Sequence, residues 1–396
     1  MAYFTDAFHE ANGVATFSRE FEQFADRHHI PFLSVHAGTA TALRPDAFVT
    51  TLELRRSALS FPLDQQLRCD PLLTRYKEAA MGQLKSFGAE LVHVTGPGDV
   101  GILGAWVAHC LGLPLIASWH TNLQEYAERR VDRLLGWMPA RPRRKISAAA
   151  ERHSMDALVR FYRMARLIMA PNQDMVDLLR ERTGKPTLRI GHGVDVEWFT
   201  PDRRSRRNDL FTVGYVGRLT PEKNVRWLAG IEQALVERGI QEFRLLLVGA
   251  GSEQSWLQAN LQRAEFRGIL RGPSLAQAFA DMDVFVFPSL TDTFGLVILE
   301  AMASGVPVIV TPAGGPKYQV RVGQTGFVAT TPGDFAACIL ALKNNSLMHA
   351  QMREAARQHA CSASWDNVFA DVYGIYETVL DKASCKHFSA GANRST

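Results

Sequence analysis

The sequence predicts an α/β protein built from two doubly wound parallel sheets, one in each half of the chain. Three observations carry that expectation. Short β-rich runs alternate with stretches of helical periodicity almost throughout, the pattern of parallel sheets covered by crossover helices. The alternation breaks once, at RIGHGVDVEWFTPDRRSRRNDLF, which is rich in Gly, Pro and charge, and then restarts. A length of 396 residues also exceeds what one ordinary core holds.

The elements follow in order. In the first half, strands are expected at 2–5, 31–36, 91–95, 114–118, 167–170 and 187–190. Phe17, Phe21 and Phe24 recur at helical spacing, so 14–28 reads as a helix with those rings in the core. The first strand is short against a typical ~5–6 residues, which implies a late start or a frayed sheet edge. Second-half strands are expected near 211–216, 243–248, 268–271, 283–287, 306–310 and 326–329. The expected division is a first domain over 1–190, a linker over 191–205 and a second domain over 206–363. Residues 384–396 read as a polar, disordered tail.

Composition narrows the class. With 46% hydrophobic and 21% charged residues the chain reads as soluble and globular. A net charge of +4 is too small an excess to argue for nucleic acid. Cys69, Cys110, Cys338, Cys361 and Cys385 are scattered, with no C-x-x-C pair, which argues against a disulfide framework or a zinc site and fits a reducing compartment. MAYFTDAFHE lacks the regions of a signal peptide, and the longest apolar runs fall far short of the ~20 residues that span a bilayer. A cytoplasmic protein is expected, attached at most to a membrane surface.

Ligands of open parallel sheets bind beyond the carboxyl ends of strands. At such an end lies VFVFPSLTDTFGLVILEA, 284–301, where Asp292 and Glu300 flank a helix expected to start near Phe294-Gly295. That start offers free N–H groups and the positive end of a dipole, and Gly295 admits a phosphate close to the backbone. Glu300 lies roughly 9 Å along the helix. Each carboxylate suits two neighbouring hydroxyls, so the pair fits a polyol, a diphosphate and a ribose in that order: a nucleotide sugar. Taken alone, Asp292 reads equally well as a helix cap and Glu300 as a solvated helix acid.

VGRLTPEKN, 216–224, places Arg218 and Lys223 at another strand-to-helix turn, where two cations would offset a diphosphate. By itself Lys223 reads as a surface lysine. His120 ends strand 114–118 and is expected to reach a cleft, where it could bond a sugar hydroxyl or polarise a reacting group. His28, His29 and His93 read as ordinary histidines. Gly13 opens helix 14–28 as a second backbone site suited to phosphate. Gly249-Ala250-Gly251 and Gly314-Gly315 read as turns.

The ordered set TDAFHEANGVA, SWHTN, IGHGVD, VGRLTPEKN, VGAGSE, FPSLTDTFGLVILEAMASGVPVIV and TGFV resembles the glycosyltransferase family 4 enzymes, over nearly the whole chain. The resemblance implies a GT-B architecture, two Rossmann-like domains facing a cleft, and hexose transfer with retention of anomeric configuration. It is closest in texture to bacterial enzymes that add mannose or related hexoses to lipid or glycan acceptors. It implies that Glu300 binds the donor ribose, that Asp292 contacts the hexose near the reaction centre and that Arg218 and Lys223 clamp the diphosphate. Thr293, Phe294, Gly295 and Leu296 would form the donor-binding turn, with Gly13 approaching the phosphates and His120 near the transferred sugar. The helix 364–383, with Trp365, Tyr373 and Tyr376, resembles the segment that crosses back to the first domain. Two departures stand out: Asp292 where the family often has Glu, and Gly191-His192-Gly193 where Asn often precedes the glycine.

The implied chemistry is front-face attack, with the departing diphosphate oxygen taking the acceptor's proton; the rival is double displacement through Asp292. No metal or other cofactor is expected. The leading donors are GDP-mannose and UDP-glucose. Residues 129–145, RRVDRLLGWMPARPRRK, combine basic and apolar side chains suited to an anionic membrane, and read equally as a solvated basic loop. Two other classes compete with transfer: a non-catalytic nucleotide-sugar-binding protein and a nucleotide-sugar epimerase.

Overall fold

The structure, a computed structural model, describes all residues except 11, 65–66, 121–139, 206–209 and 392–396. It comprises two units: Met1–Ile190 with Phe369–Thr396, and Gly191–Val368.

The first unit runs β1 (Ala2–Thr5), α1 (Gly13–Arg27), β2 (Phe32–Gly38), β3 (Ala42–Pro45), β4 (Val49–Arg55), β5 (Phe61–Asp64), β6 (Leu67–Cys69), α2 (Lys77–Phe87), β7 (Val92–Val94), α3 (Asp99–Leu111), β8 (Leu115–Ser118), α4 (Ala140–Tyr162), β9 (Leu167–Ala170), α5 (Gln173–Thr183) and β10 (Thr187–Arg189). Its main sheet has the order β10-β9-β8-β7-β1-β2-β4-β3, parallel except where β3 meets β4. The short first strand is no frayed edge. It sits mid-sheet between β2 and β7 with all four residues buried, so both neighbours hold its register. β3 to β6 were not anticipated, for a physical reason. β4 buries Leu52 and Leu54 on one face among polar residues, and edge strand β3 is largely exposed, so neither forms an apolar run.

The second unit runs β11 (Phe211–Val216), α6 (Trp227–Glu237), β12 (Phe243–Val248), α7 (Gln254–Asn260), β13 (Ala264–Phe266), α8 (Gly272–Ala280), β14 (Val284–Phe287), α9 (Leu296–Ala303), β15 (Val308–Val310), β16 (Gly326–Val328), α10 (Pro332–Asn344) and α11 (Ser346–Ser362). Its sheet, β13-β12-β11-β14-β15-β16, is parallel throughout. The strand expected at 268–271 is instead a turn. Gly268 and Gly272 take φ of +64° and +58°, and Ile269 between them is 69% exposed, so the strand forms earlier, at β13. Residues 191–205, expected as a linker, belong to this unit: Val194 and Phe199 enter its core and Arg204 pairs with Asp283 at 2.7 Å.

The last helix, α12 (Trp365–Gly391), starts in the second unit and continues into the first. It overruns the tail expected from 384, because no Gly or Pro interrupts residues 375–390. In the first unit its Phe369 ring stacks on Phe21 at 4.5 Å, and Tyr376 hydrogen-bonds His93 at 2.5 Å.

Strand order reverses once in each sheet, between β1 and β7 and between β11 and β14. In each unit separately, the switch point lies where ligands of doubly wound sheets bind, beyond the carboxyl ends of the strands.

Candidate active site

In the second unit, the loops leaving β11 and β14 are joined at the switch point. Lys223 Nζ donates to Asp292 Oδ1 at 2.5 Å. One residue on, the Asn224 amide donates to the Pro288 carbonyl at 3.2 Å, and Thr291 Oγ1 donates to the Glu222 carbonyl at 3.3 Å. Local sequence explains the aim of Lys223: Pro221 starts a single 3-10 turn, Pro221–Lys223, which ends at Asn224 with φ +53°. Asparagine tolerates that left-handed conformation better than most residues. Arg218, expected as the second clamp cation, pairs with Glu222 at 3.3 Å and keeps a 39% exposed side chain.

Asp292 does not cap the helix. The cap position of α9 is Gly295, at φ +85°, and no side chain caps it. The first-turn N–H groups around Gly295 and Leu296 therefore lack intrahelical partners. Asp292 Oδ2 is buried and has no hydrogen-bond partner among the described residues. Just over one turn into α9, burial pushes the Glu300 carboxyl up to about 7.

A segment after β15 underlies this loop. Gly315 N donates to the Asp292 carbonyl at 2.7 Å, and a Cβ on Gly315 would stand 1.8 Å from the Thr293 oxygen. Only glycine fits there. Gln319 Nε2 donates to the Phe294 and Gly295 carbonyls. The His192 ring stacks on Phe294 at 4.4 Å, so the Gly-His-Gly stretch touches the turn that leads into α9.

In the first unit, Gly13 opens α1 behind an Asn12 cap whose Oδ1 accepts from Ala15 N at 2.9 Å. Phe17, one turn on, packs against His120 at 5.0 Å. His120 is 8% exposed, and burial lowers its pKa to about 4, so at neutral pH it is an uncharged hydrogen-bonding group. Residues 129–139 of the basic stretch 129–145 lie outside the described residues, and of 140–145 only the helical backbone is described.

A profile described as Glycosyltransferase Family 4 matches residues 12–198, and one described as Glycosyl transferases group 1 matches 211–345. The chain is 33% identical over 316 residues to a GDP-mannose-dependent alpha-mannosyltransferase of Mycolicibacterium smegmatis, covering 77% of this chain and 78% of that one. It is 29% identical over 380 residues to the sulfoquinovosyl transferase of Arabidopsis thaliana, covering 89% and 67%. Among solved structures, sucrose-phosphate synthase from Thermosynechococcus elongatus superposes with a TM-score of 0.73 at 19% identity, covering 96% of this chain and 99% of that one.

The chain belongs to glycosyltransferase family 4.

Each unit of this glycosyltransferase carries a Rossmann-like sheet of the GT-B fold. Three residues that hold loops at the carboxyl ends of these two sheets, each within its own unit, were missed in sequence. Asp6 follows β1 directly and accepts the N–H groups of Gly98, Val100 and Gly101, capping α3 from another loop. Burial and the neighbouring Asp99 charge push its carboxyl up to about 7. An acid placed immediately after the first strand was the available signal. Asn224 was legible as a left-handed residue after a 3-10 turn, and Gln319 carried no sequence signal. Among the described residues, no group of three or more His, Cys, Asp or Glu is arranged to hold a metal ion. No helix among them is long and apolar enough to cross a membrane.

Proposed function

We propose that this hexosyltransferase moves mannose from GDP-mannose, with retention and without a metal, to a lipid or glycan acceptor. The Lys223–Asp292 pair at the foot of an uncapped helix carries the reading. It sets a cation, free N–H groups and a carboxylate at one sheet switch point, the requirements of a diphosphate attached to a sugar. The choice of donor follows the GDP-mannose-dependent relatives from Mycolicibacterium smegmatis and Mycobacterium tuberculosis, 33% and 32% identical.

In this reading the diphosphate lies on the first turn of α9, with Lys223 and Arg218 offsetting charge as the glycosidic bond breaks. Asp292 Oδ2 accepts a hexose hydroxyl. Its Oδ1 is held by Lys223, which favours a sugar-binding role over nucleophilic attack, since an ion-paired carboxylate is a weaker nucleophile. The departing phosphate oxygen takes the acceptor's proton, so no separate strong base is needed. Glu300 takes the ribose hydroxyls. His120, neutral at pH 7, bonds the hexose, and Gly13 supplies a backbone approach to the phosphates. An anionic membrane reached through 129–145 would present a lipid acceptor.

Incubation with GDP-mannose, UDP-glucose and ADP-glucose, followed by chromatography of the nucleotides, tests this. GDP release from GDP-mannose that requires acceptor extract and persists in EDTA is expected. Release from UDP-glucose alone would move the donor assignment. Altered sugar without release would indicate epimerisation, binding without turnover a non-catalytic protein, and a trapped sugar on Asp292 double displacement. Failure to co-sediment with anionic liposomes would remove the membrane.

A further inference from the structure

We propose that Gln319 is a positioning residue whose carboxamide sets the backbone of the donor-binding turn. The proposal rests on the reading of the α9 start as a diphosphate site. Gln319 is 6% exposed and ends a 3-10 turn, Pro316–Gln319, that follows Gly314-Gly315. Its Nε2 donates to the Phe294 carbonyl and, at 3.4 Å, to the Gly295 carbonyl, while Gly315 N takes the Asp292 carbonyl. One short segment thus holds three carbonyls of the turn 292–295. With those oxygens held on the side of 315–319, the peptide planes of the turn are fixed. The N–H groups beyond them, at the open start of α9, are fixed with them.

Two features separate this from ordinary packing. Two of the three carbonyls, those of Phe294 and Gly295, take their donor from the Gln319 carboxamide, where a carboxylate would set oxygen against oxygen. The other end of the side chain is left unsatisfied: Oε1 is buried with no hydrogen-bond partner among the described residues. A buried orphan acceptor opposes folding, so the side chain contributes little to stability and its use lies in the geometry it imposes. Asn224 does the same work at the other end of the loop, on Pro288.

The test compares Gln319→Met, Gln319→Glu and the unaltered protein by calorimetric titration with GDP and UDP and by thermal melting. Gln319→Met is expected to melt within a few degrees of the unaltered protein while nucleotide affinity falls about tenfold. Gln319→Glu is expected to bind poorly at pH 8 and to recover as pH falls and the protonated carboxyl regains a donor, measured against the unaltered protein at each pH. Equal affinity of the Met variant and the unaltered protein, or a melting loss that tracks the affinity loss, would overturn the proposal. If the unaltered protein binds neither nucleotide, the diphosphate reading itself fails, a distinct outcome.

Discussion

The Lys223–Asp292 contact bears on folding as well as on the proposed chemistry. The pair is only 15% and 17% exposed, so removing the lysine leaves a largely buried carboxylate without its cation. Lys223→Met is expected to lower kcat/KM by about a hundredfold or more in the nucleotide-release assay. It should also cost roughly 1–3 kcal/mol in urea denaturation. Adding Asp292→Asn should restore much of that stability and none of the activity, the coupling a double-mutant cycle measures. Glu300 behaves differently. Its folded pKa, about 7, lies above the ordinary carboxylate value, so its contribution favours folding at low pH and is lost as pH rises from about 4.5 through 7. Glu300→Gln should therefore be more stable than the native protein above pH 7, by roughly 1–3 kcal/mol, and no different at pH 4.5. The proposed ribose role calls for the ionised carboxylate, so donor KM of the unaltered enzyme should rise as pH drops below 7. Both acids were legible in sequence because they bracket a helix start. Gln319 was not, since its partners are main-chain atoms some 25 positions away.

At the scale of elements, helices and strands were readable wherever burial produced a period or an apolar run. β11 and β14 are buried throughout, β12 everywhere but at Arg244, and all three stand out in the sequence. β13 is only partly buried and preceded a more apolar stretch, Ile269-Leu270, that two left-handed glycines keep out of the sheet. Glycines therefore carry opposite expectations in different elements. Gly315→Ala places a methyl 1.8 Å from the Thr293 oxygen, and should both destabilise the second unit by about 1–3 kcal/mol and weaken nucleotide binding. Gly374 is exposed within α12, with nothing within 4 Å of its would-be Cβ. Gly374→Ala should raise stability by about 0.5–1 kcal/mol without touching activity, as thermal melting and the release assay would show.

Across the whole molecule, buried histidines set the acid limit. Burial holds His93 at about 3 and His36 and His120 at about 4, while the unfolded chain takes up protons near the ordinary value of 6.5. Stability should fall as pH drops from 6.5 towards 4, partly offset by Asp6 and Glu300, which hold their protons in the fold. Urea midpoints at pH 6.5, 5.5 and 4.5 would show the decline. The two-sheet plan was visible in the restart of the strand–helix alternation. The limits of the units were less so, because 191–205 has loop composition yet buries Val194 and Phe199.

The second unit is one continuous stretch, Gly191–Val368, whereas the first is completed only by the residues from Phe369 onward. During synthesis the half that emerges first from the ribosome must therefore wait until the whole second unit has been made and Phe369 follows it. Until then the Phe21 and Phe24 rings that meet Phe369 and Tyr373 are uncovered. A nascent chain stopped before residue 369 would carry a finished second unit and an unfinished first one, sticky and a natural client for chaperones.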